Sequence, residues 1–398
     1  MRVNVELKKG IHWVGAIDWS VRDFHGYSTK KGTTYNAFLV IDEKITLFDT
    51  VKKPFTWDLL HCIHKVIDPK KIDYIVVNHV EPDHSGALPE IVDLVKPEKI
   101  FCSSRGKKAL LEHYHQPNWP YEVVQTGQEV RLGARTVQFL ETRMVHWPDS
   151  MFSYLKEDAI LISSDGFGQH WATTERFNDQ VDAAELKQHA AKYFANILLP
   201  YSALISKLIA EVSKMNLKID MICPDHGLIW RETPLQIVGL YDQWAKQVPQ
   251  RKAVIVYDSM WNSTQTMAKA ILDGIVAEGV EAKLMDLKAD HRSDVMTEIL
   301  EAAAIVVGSP TLNNNMLPTM ADMLCYLKGL RPVNKVGAAF GSYGWSGESV
   351  RLMTKSLEET KVKIVHPGLA VQYVPTHETL KQCVDLGRIV AESVKSMA

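Results

Sequence analysis

Residues 78 to 86 read NHVEPDHSG and follow an apolar run, KIDYIVV. Within these nine residues Asn78, His79, Glu81, Asp83 and His84 all carry side chains able to hold a metal ion. KIDYIVV reads as a buried strand, so the loop leaves its C-terminal end, where α/β folds usually place their sites. Gly86 is expected to let the backbone turn tightly into the next helix. Three further segments repeat the theme. HWPDS sets His146 after the strand RTVQFLET, AILISSDGFG sets Asp165 at a strand end, and DMICPDHG sets His226 at another. One histidine at a strand end is ordinarily capped or solvated, but four strand ends each delivering His or Asp point to a metal. Imidazoles mixed with several carboxylates form a harder set than the thiolates of structural zinc. Six or seven candidates are too many for one ion and suit two, and an aspartate such as Asp165 could bridge them at roughly 3.5–4 Å.

A second group lies in YDSMWNST (257–264), between an apolar strand and a helix. Ser259, Ser263 and Thr264 offer hydroxyls there and the helix start offers free amides, with Met260, Trp261 and Asn262 completing the loop. That is a phosphate site without lysine, set against plain N-capping by Ser or Thr. Two later loops fall on what should be the same sheet edge. One carries Pro310, Thr311, Leu312, Asn313 and Asn314, the other Ser342, Tyr343, Gly344, Trp345, Ser346 and Gly347. Such loops can wrap an isoalloxazine with backbone hydrogen bonds. Trp261, Tyr343 and Trp345 are candidates to stack on it or flank its edge. No GxGxxG is present, so a dinucleotide is not expected.

The elements that must position these residues fall into two halves. The first is mixed α/β: a first strand within MRVNVELKKGIHW, a hairpin over NAFLVIDEKITLFDT, and further strands at DYIVV, KIFCSS, RTVQFLET, FSYL, AILISS and DMICP. Helices are expected at WDLLHCIHKVI and ALPEIVDLV, around 182–213 and about 232–247. VPQRK (248–252) breaks the pattern, and beyond it five apolar strands alternate with five helices, the rhythm of a doubly wound parallel sheet. The domains are therefore set at 1–249 and 250–398.

With 398 residues, 46% hydrophobic and 23% charged, the chain has the composition of a globular protein with a proper core. A net charge of −2 shows no basic excess for nucleic acid. No apolar run approaches the roughly 20 residues of a membrane span, and the charged start is not a signal peptide. Five scattered cysteines argue against disulfides or a cysteine-held cluster and fit a reducing cytoplasm.

HVEPDH with downstream His146, Asp165 and His226 resembles the metallo-β-lactamase site His-x-His-x-Asp-His, except that Glu81 replaces the second His. That exchange, with a flavodoxin-like domain following, resembles the flavodiiron proteins over essentially the whole chain. The resemblance implies an N-terminal metallo-β-lactamase-like αββα sandwich and a C-terminal flavodoxin-like doubly wound parallel sheet. It implies two iron ions, with His79, Glu81 and His146 on one, Asp83 and His226 on the other, and Asp165 bridging. His84 either binds the second iron or leaves that place to water. It also implies one noncovalent FMN, held at the 259–264, 310–314 and 342–347 loops, and reduction of O2 or NO. Exchanging an imidazole for a carboxylate adds negative charge and favours the higher iron oxidation states.

The resemblance implies that His25, in RDFHG, reaches over the irons from a loop, the alternative being a plain surface-loop His, and Trp147 is expected to contact a flavin or simply pack. Without a Cys-x-x-Cys rubredoxin segment after the flavodoxin-like part, the electron donor is expected to be a separate small protein, rubredoxin-like or other. A domain of about 250 residues has a radius of gyration near 18 Å, so flavin and irons of one chain could lie too far apart for fast transfer. A head-to-tail homodimer, or a dimer of dimers, would solve this. The rivals are a zinc hydrolase fused to a flavodoxin-like module and an electron carrier with a vestigial metal site.

Overall fold

The structure is a computed structural model and describes residues 5–397. Contacts divide it into two compact units: residues 5–25, 29–193 and 203–242 form the first, and 26–28, 194–202 and 243–397 the second. The expected break at 250 therefore falls later than the one contacts define. The Trp244 indole donates to Glu301 (3.1 Å), and Asn196 Nδ2 donates to the Ser293 carbonyl (3.0 Å), which draws these outlying residues into the second unit.

In the first unit a seven-stranded sheet runs in the order Val5–Lys8, Ile11–Trp13, Phe38–Val40, Thr46–Phe48, Tyr74–Val77, Lys99–Ser103, Tyr121–Val124. A five-stranded sheet runs Glu129–Arg131, Thr136–Glu141, Met151–Leu155, Ile160–Ile162, Met221–Cys223. Side-chain alternation explains the layering. Within Tyr74–Val77, Val76 points into a core shared by both sheets with Phe48, Phe101, Phe139, Met151 and Ile162. Ile75 and Val77 point the other way, among Leu59, Ile63, Leu88, Ile91 and Leu110 of the covering helices. Two sheets face each other with helices outside, which is the expected sandwich. The chain start is a hairpin rather than one strand, with Val5 opposite Trp13 and Gly10 at φ +76° in the turn; residues 1–4 of that segment lie outside the described residues. The 38–48 hairpin is antiparallel as expected, with Phe38 opposite Phe48.

One helical run, Ala183–Lys214, is long and apolar enough by length and composition to cross a membrane, which the sequence reading did not anticipate. It is not one regular helix. A π-helical turn at Phe194–Leu198 and a 3-10 turn at Leu199–Tyr201, with Pro200 inside, interrupt it.

The second unit is a parallel sheet in the order Glu281–Asp286, Gln250–Tyr257, Ala302–Gly308, Val336–Tyr343, closed by Lys363–Ile364 and Leu369–Gln372. This 2-1-3-4-5 order is the flavodoxin-like one, with its switch point between the first and third strands. The last strand, expected to be continuous, is split around Pro367-Gly368. Helices Ser263–Ala277 and His377–Met397 cover one face, burying Met267, Ile271, Ile275, Leu386, Val390 and Val394 against the sheet. They touch backbone to backbone: a Cβ on Gly387 would stand 2.2 Å from the Ile271 carbonyl oxygen, and one on Gly274 2.1 Å from that of Val384. Gly387→Ala should therefore cost roughly 1–3 kcal/mol by overpacking, seen as a lower denaturant midpoint for the flavin-bearing unit. An unchanged midpoint would show that the helices part without penalty.

Candidate metal centre and flavin cleft

The strand Tyr74–Val77 ends one residue before Asn78, and a short helix, Pro82–Ser85, follows at once. This brings His79, Glu81, Asp83 and His84 to one place. His146 arrives on the loop after Thr136–Glu141, Asp165 three residues beyond Ile160–Ile162, and His226 three beyond Met221–Cys223. All seven converge in the first unit as two groups. In one, the ligand atoms of His79, Glu81, His146 and Asp165 lie within 4.8 Å of one another; in the other, those of Asp83, His84 and His226 do.

Asp165 joins the groups. Its Oδ2 stands 2.9 Å from His146 Nε2 and 3.4 Å from His79 Nε2. Its Oδ1 stands 3.3 Å from His84 Nε2 and 3.5 Å from His226 Nε2. Glu81 Oε2 is 3.3 Å from both His79 and His146, and Asp83 Oδ2 is 3.1 Å from His226 and 3.3 Å from His84. His84 thus aims Nε2 into the second group. Asn78 does not join: its amide donates to Asp49 (2.6 Å) and its carbonyl oxygen accepts from Ser153 (2.7 Å). Gly86 is required for space, not for a turn. Its conformation is helical, but a Cβ would meet the Pro82 carbonyl oxygen at 2.4 Å.

Several supporting residues were missed from sequence. Asp149 Oδ2 accepts from His79 Nδ1 (3.0 Å) and from the Val80 amide (2.7 Å), and the Thr34 carbonyl accepts from His226 Nδ1 (2.6 Å). Each directs the Nε2 lone pair inward, as a metal-ligating imidazole needs. Asp225, fully buried, sits 3.9 Å from His84 Nδ1. Tyr193 turns its phenol to Asp165, and His170 packs 4.6 Å from the His226 ring. Asp149 and Asp225 carried a signal, the first being three residues after His146 within HWPDS and the second directly before His226 within DMICPDHG; the others carried none. His25 is exposed, with Nε2 3.7 Å from Glu81 Oε1 at the edge of the cluster. Trp147 packs edge-to-face on His79 at 5.2 Å.

In the second unit the three expected loops meet at a cleft of about 700 Å³. Thr264 and Ser342 hydroxyls are 3.0 Å apart, and the Thr311 amide donates to the Ser342 carbonyl (2.9 Å), so the loops brace one another. Met260, Trp261, Ser263, Pro310–Asn314 and Ser342–Ser346 line the space, while Ser259, Asn262, Thr264 and Gly347 are not among its lining residues. Tyr373 and Val374, which follow the last strand, also line it and were missed. Asn262 holds φ +66° and no side chain caps the helix that begins at Ser263, which sets aside the plain N-capping alternative.

Residues 33–227 match the family described as "ODP family beta lactamase" and residues 255–387 match flavodoxin. The chain is 48% identical to a nitric oxide reductase of Moorella thermoacetica over 98% of both chains. Its fold superposes on the rubredoxin oxygen:oxidoreductase of Desulfovibrio gigas with a TM-score of 0.97, at 47% identity and 99% of both chains. On the flavodiiron protein of Giardia intestinalis it superposes with a TM-score of 0.96, at 34% identity, over 99% of this chain and 97% of that one. The chain belongs to the flavodiiron protein family.

A flavodiiron protein carries a diiron centre and FMN, and this structure fits both. Asp83 Oδ1, Asp165 Oδ1 and both His84 nitrogens are buried with no hydrogen-bond partner among the described residues, an arrangement that is costly without a cation. At the cleft, uncapped amides at the start of a fifteen-residue helix suit a phosphate and two exposed indoles, Trp261 and Trp345, suit a ring.

Metal uptake by this site must expel protons. Burial opposes charge on His84, but Asp83, Asp165 and Asp225 hold it protonated up to about 10. Burial likewise opposes charge on His79 and His146, yet donation to carboxylates raises both. Since only a neutral imidazole binds iron, ferrous uptake by metal-free protein at pH 7 should release protons, and affinity should rise with pH. Calorimetry in buffers of different ionisation enthalpy reads this directly; uptake without proton release would contradict the paired imidazolium–carboxylate state. At the cleft, no Cys or His lies in the three loops, so acid precipitation should release the flavin as FMN rather than leave it with the protein.

Proposed function

We propose that this flavodiiron protein is a gas-scavenging oxidoreductase that reduces O2 to water, NO to N2O, or both. The observation that carries the reading is Glu81, set where a hydrolase of this fold has a second imidazole and standing 3.3 Å from His79 and His146. With Asp83 and Asp165 it surrounds the metal positions with three carboxylates, a charge that favours oxidised iron and that hydrolysis does not require. We assign His79, Glu81 and His146 to one iron, Asp83, His84 and His226 to the other, and Asp165 to both. When bound, the irons hold the gas and, with FMN, supply the four electrons that O2 to two waters requires, or the two that 2 NO to N2O requires.

The chain's own groups do the rest. Asp149 and the Thr34 carbonyl fix the imidazole orientations, so that the cluster is set before substrate arrives. His25, at the solvent edge with Nε2 3.7 Å from Glu81, stands where an imidazole can relay protons between water and the cluster. Trp147 and Tyr193 limit the water that reaches the site. Trp261, Tyr343 and Trp345 would hold the FMN ring in the cleft, and the Ser259–Thr264 turn would take its phosphate.

The relatives named for rubredoxin support a small rubredoxin-like protein as electron donor, and the few scattered cysteines support a reducing cytoplasm as the location. The functional domains are residues 1–249 for the metals and 250–398 for FMN, and the active assembly is a head-to-tail homodimer, alone or paired into a tetramer, with the flavin of one chain serving the irons of its partner.

Two measurements test this. Anaerobic turnover with NO and aerobic turnover with O2, using one artificial donor, should give activity with at least one gas and two iron ions per chain; two zinc ions with hydrolase activity would sink the reading. Mixing Asp83→Ala protein with a chain altered at Ser263 and Thr264 to exclude FMN should restore activity on reassembly. Inactive mixed dimers with both parents folded would place electron transfer within one chain.

A further inference from the structure

Behind the metal cluster the first unit contains a second cavity that the reaction described above does not use. It has a volume of about 280 Å³ and lies between helices Ser202–Lys214 and Leu235–Lys246 on one side and the five-stranded sheet on the other. Its mouth is at the surface, beside Ser213, Asn216 and Leu235. From there exposure falls steadily through half-buried Leu208, Val212 and Val238 to a fully covered floor. The floor is formed by Val145, Phe152, Leu161, Gly166 and Phe167. Val145 directly precedes His146 and Gly166 directly follows Asp165, so two floor residues are the chain neighbours of two groups in the metal cluster.

The lining is apolar except at the mouth, and Tyr241, the one hydroxyl at depth, turns its oxygen to the Phe167 backbone. A buried water needs two to four polar partners, whereas a dry apolar cavity takes up apolar molecules such as xenon. O2 and NO are small, weakly polar and more soluble in hydrocarbon than in water. The floor is also kept thin. A Cβ on Gly166 would stand 2.8 Å from the Phe152 ring, so only glycine lets the chain run this close beneath it. Phe152 and Phe167 have ring centres 6.3 Å apart and tilted, not stacked.

We propose that this cavity is a reservoir and entry route for the diatomic substrate, filling from solvent at its mouth and emptying past Gly166 and Val145 to the metal cluster. The inference rests on the gas-reductase reading, but its first test does not. Crystals of the holoenzyme pressurised with xenon should show xenon at the floor, near Phe152 and Gly166. Leu208→Trp, or Val238→Phe on the opposite helix should either variant fail to fold, should fill the cavity. The filled protein should keep its iron, its FMN and its rate of flavin reduction by the donor, and should keep kcat at saturating gas. Its KM for O2 or NO should rise severalfold.

Xenon bound elsewhere in the crystal but absent here would overturn the proposal, as would a filled variant with unchanged KM. Xenon at the floor of a protein that turns over neither gas would count against the reductase reading alone and leave the cavity's affinity for apolar gas standing.

Discussion

Three carboxylates sit among four imidazoles in a volume a few ångströms across, and every other feature of the first unit answers to that fact. Asp83 and Asp165 are 5% and 1% exposed, and a buried carboxylate is tolerable only beside positive charge. Without metal His79, His84 and His146, raised by the carboxylates beside them, supply it as imidazolium; with metal the ions would. Either way the charges must be held at fixed separations, and loops alone are too soft for that. The strands solve it. Each group enters within a few residues of a strand end, and those strands belong to two sheets locked by a shared core of Phe48, Phe101, Phe139 and Met151.

The flavin cleft is built on the opposite principle. No charged side chain is among its lining residues, its two indoles stand almost free in solvent, and its loops are tied by hydroxyls and amides. A ligand that brings its own large flat surface and its own charge needs a frame of donors, not a cluster of ions. The uncapped helix start at Ser263 supplies the electrostatic part, and the parallel sheet order supplies the gap in which it stands.

This difference decides what was legible in the sequence. The seven cluster residues could be read because each sits just after an apolar run, and apolar runs are the strongest sequence signal. Most of their supports could not. Thr34 contributes only a carbonyl, and Tyr193 comes from a helix whose sequence, AKYFAN, shows nothing unusual. Asn78 shared its segment with true cluster members, and only the third dimension reveals that it faces Asp49 and Ser153. Gly86 was noticed for the wrong property, since crowding by Pro82 leaves no mark in a sequence. At the cleft, the loops between strands and helices were readable, whereas Tyr373 and Val374 follow a strand broken at Gly368 and were not.

The second partners of the imidazoles have one more consequence. His79 gives its Nδ1 hydrogen to a carboxylate, Asp149, while His226 gives its own to a neutral carbonyl. An imidazole backed by a carboxylate is the more basic at its other nitrogen. His79 is thus the more basic of these two imidazoles at the nitrogen that faces the cluster, a difference written in hydrogen bonds that never touch a metal.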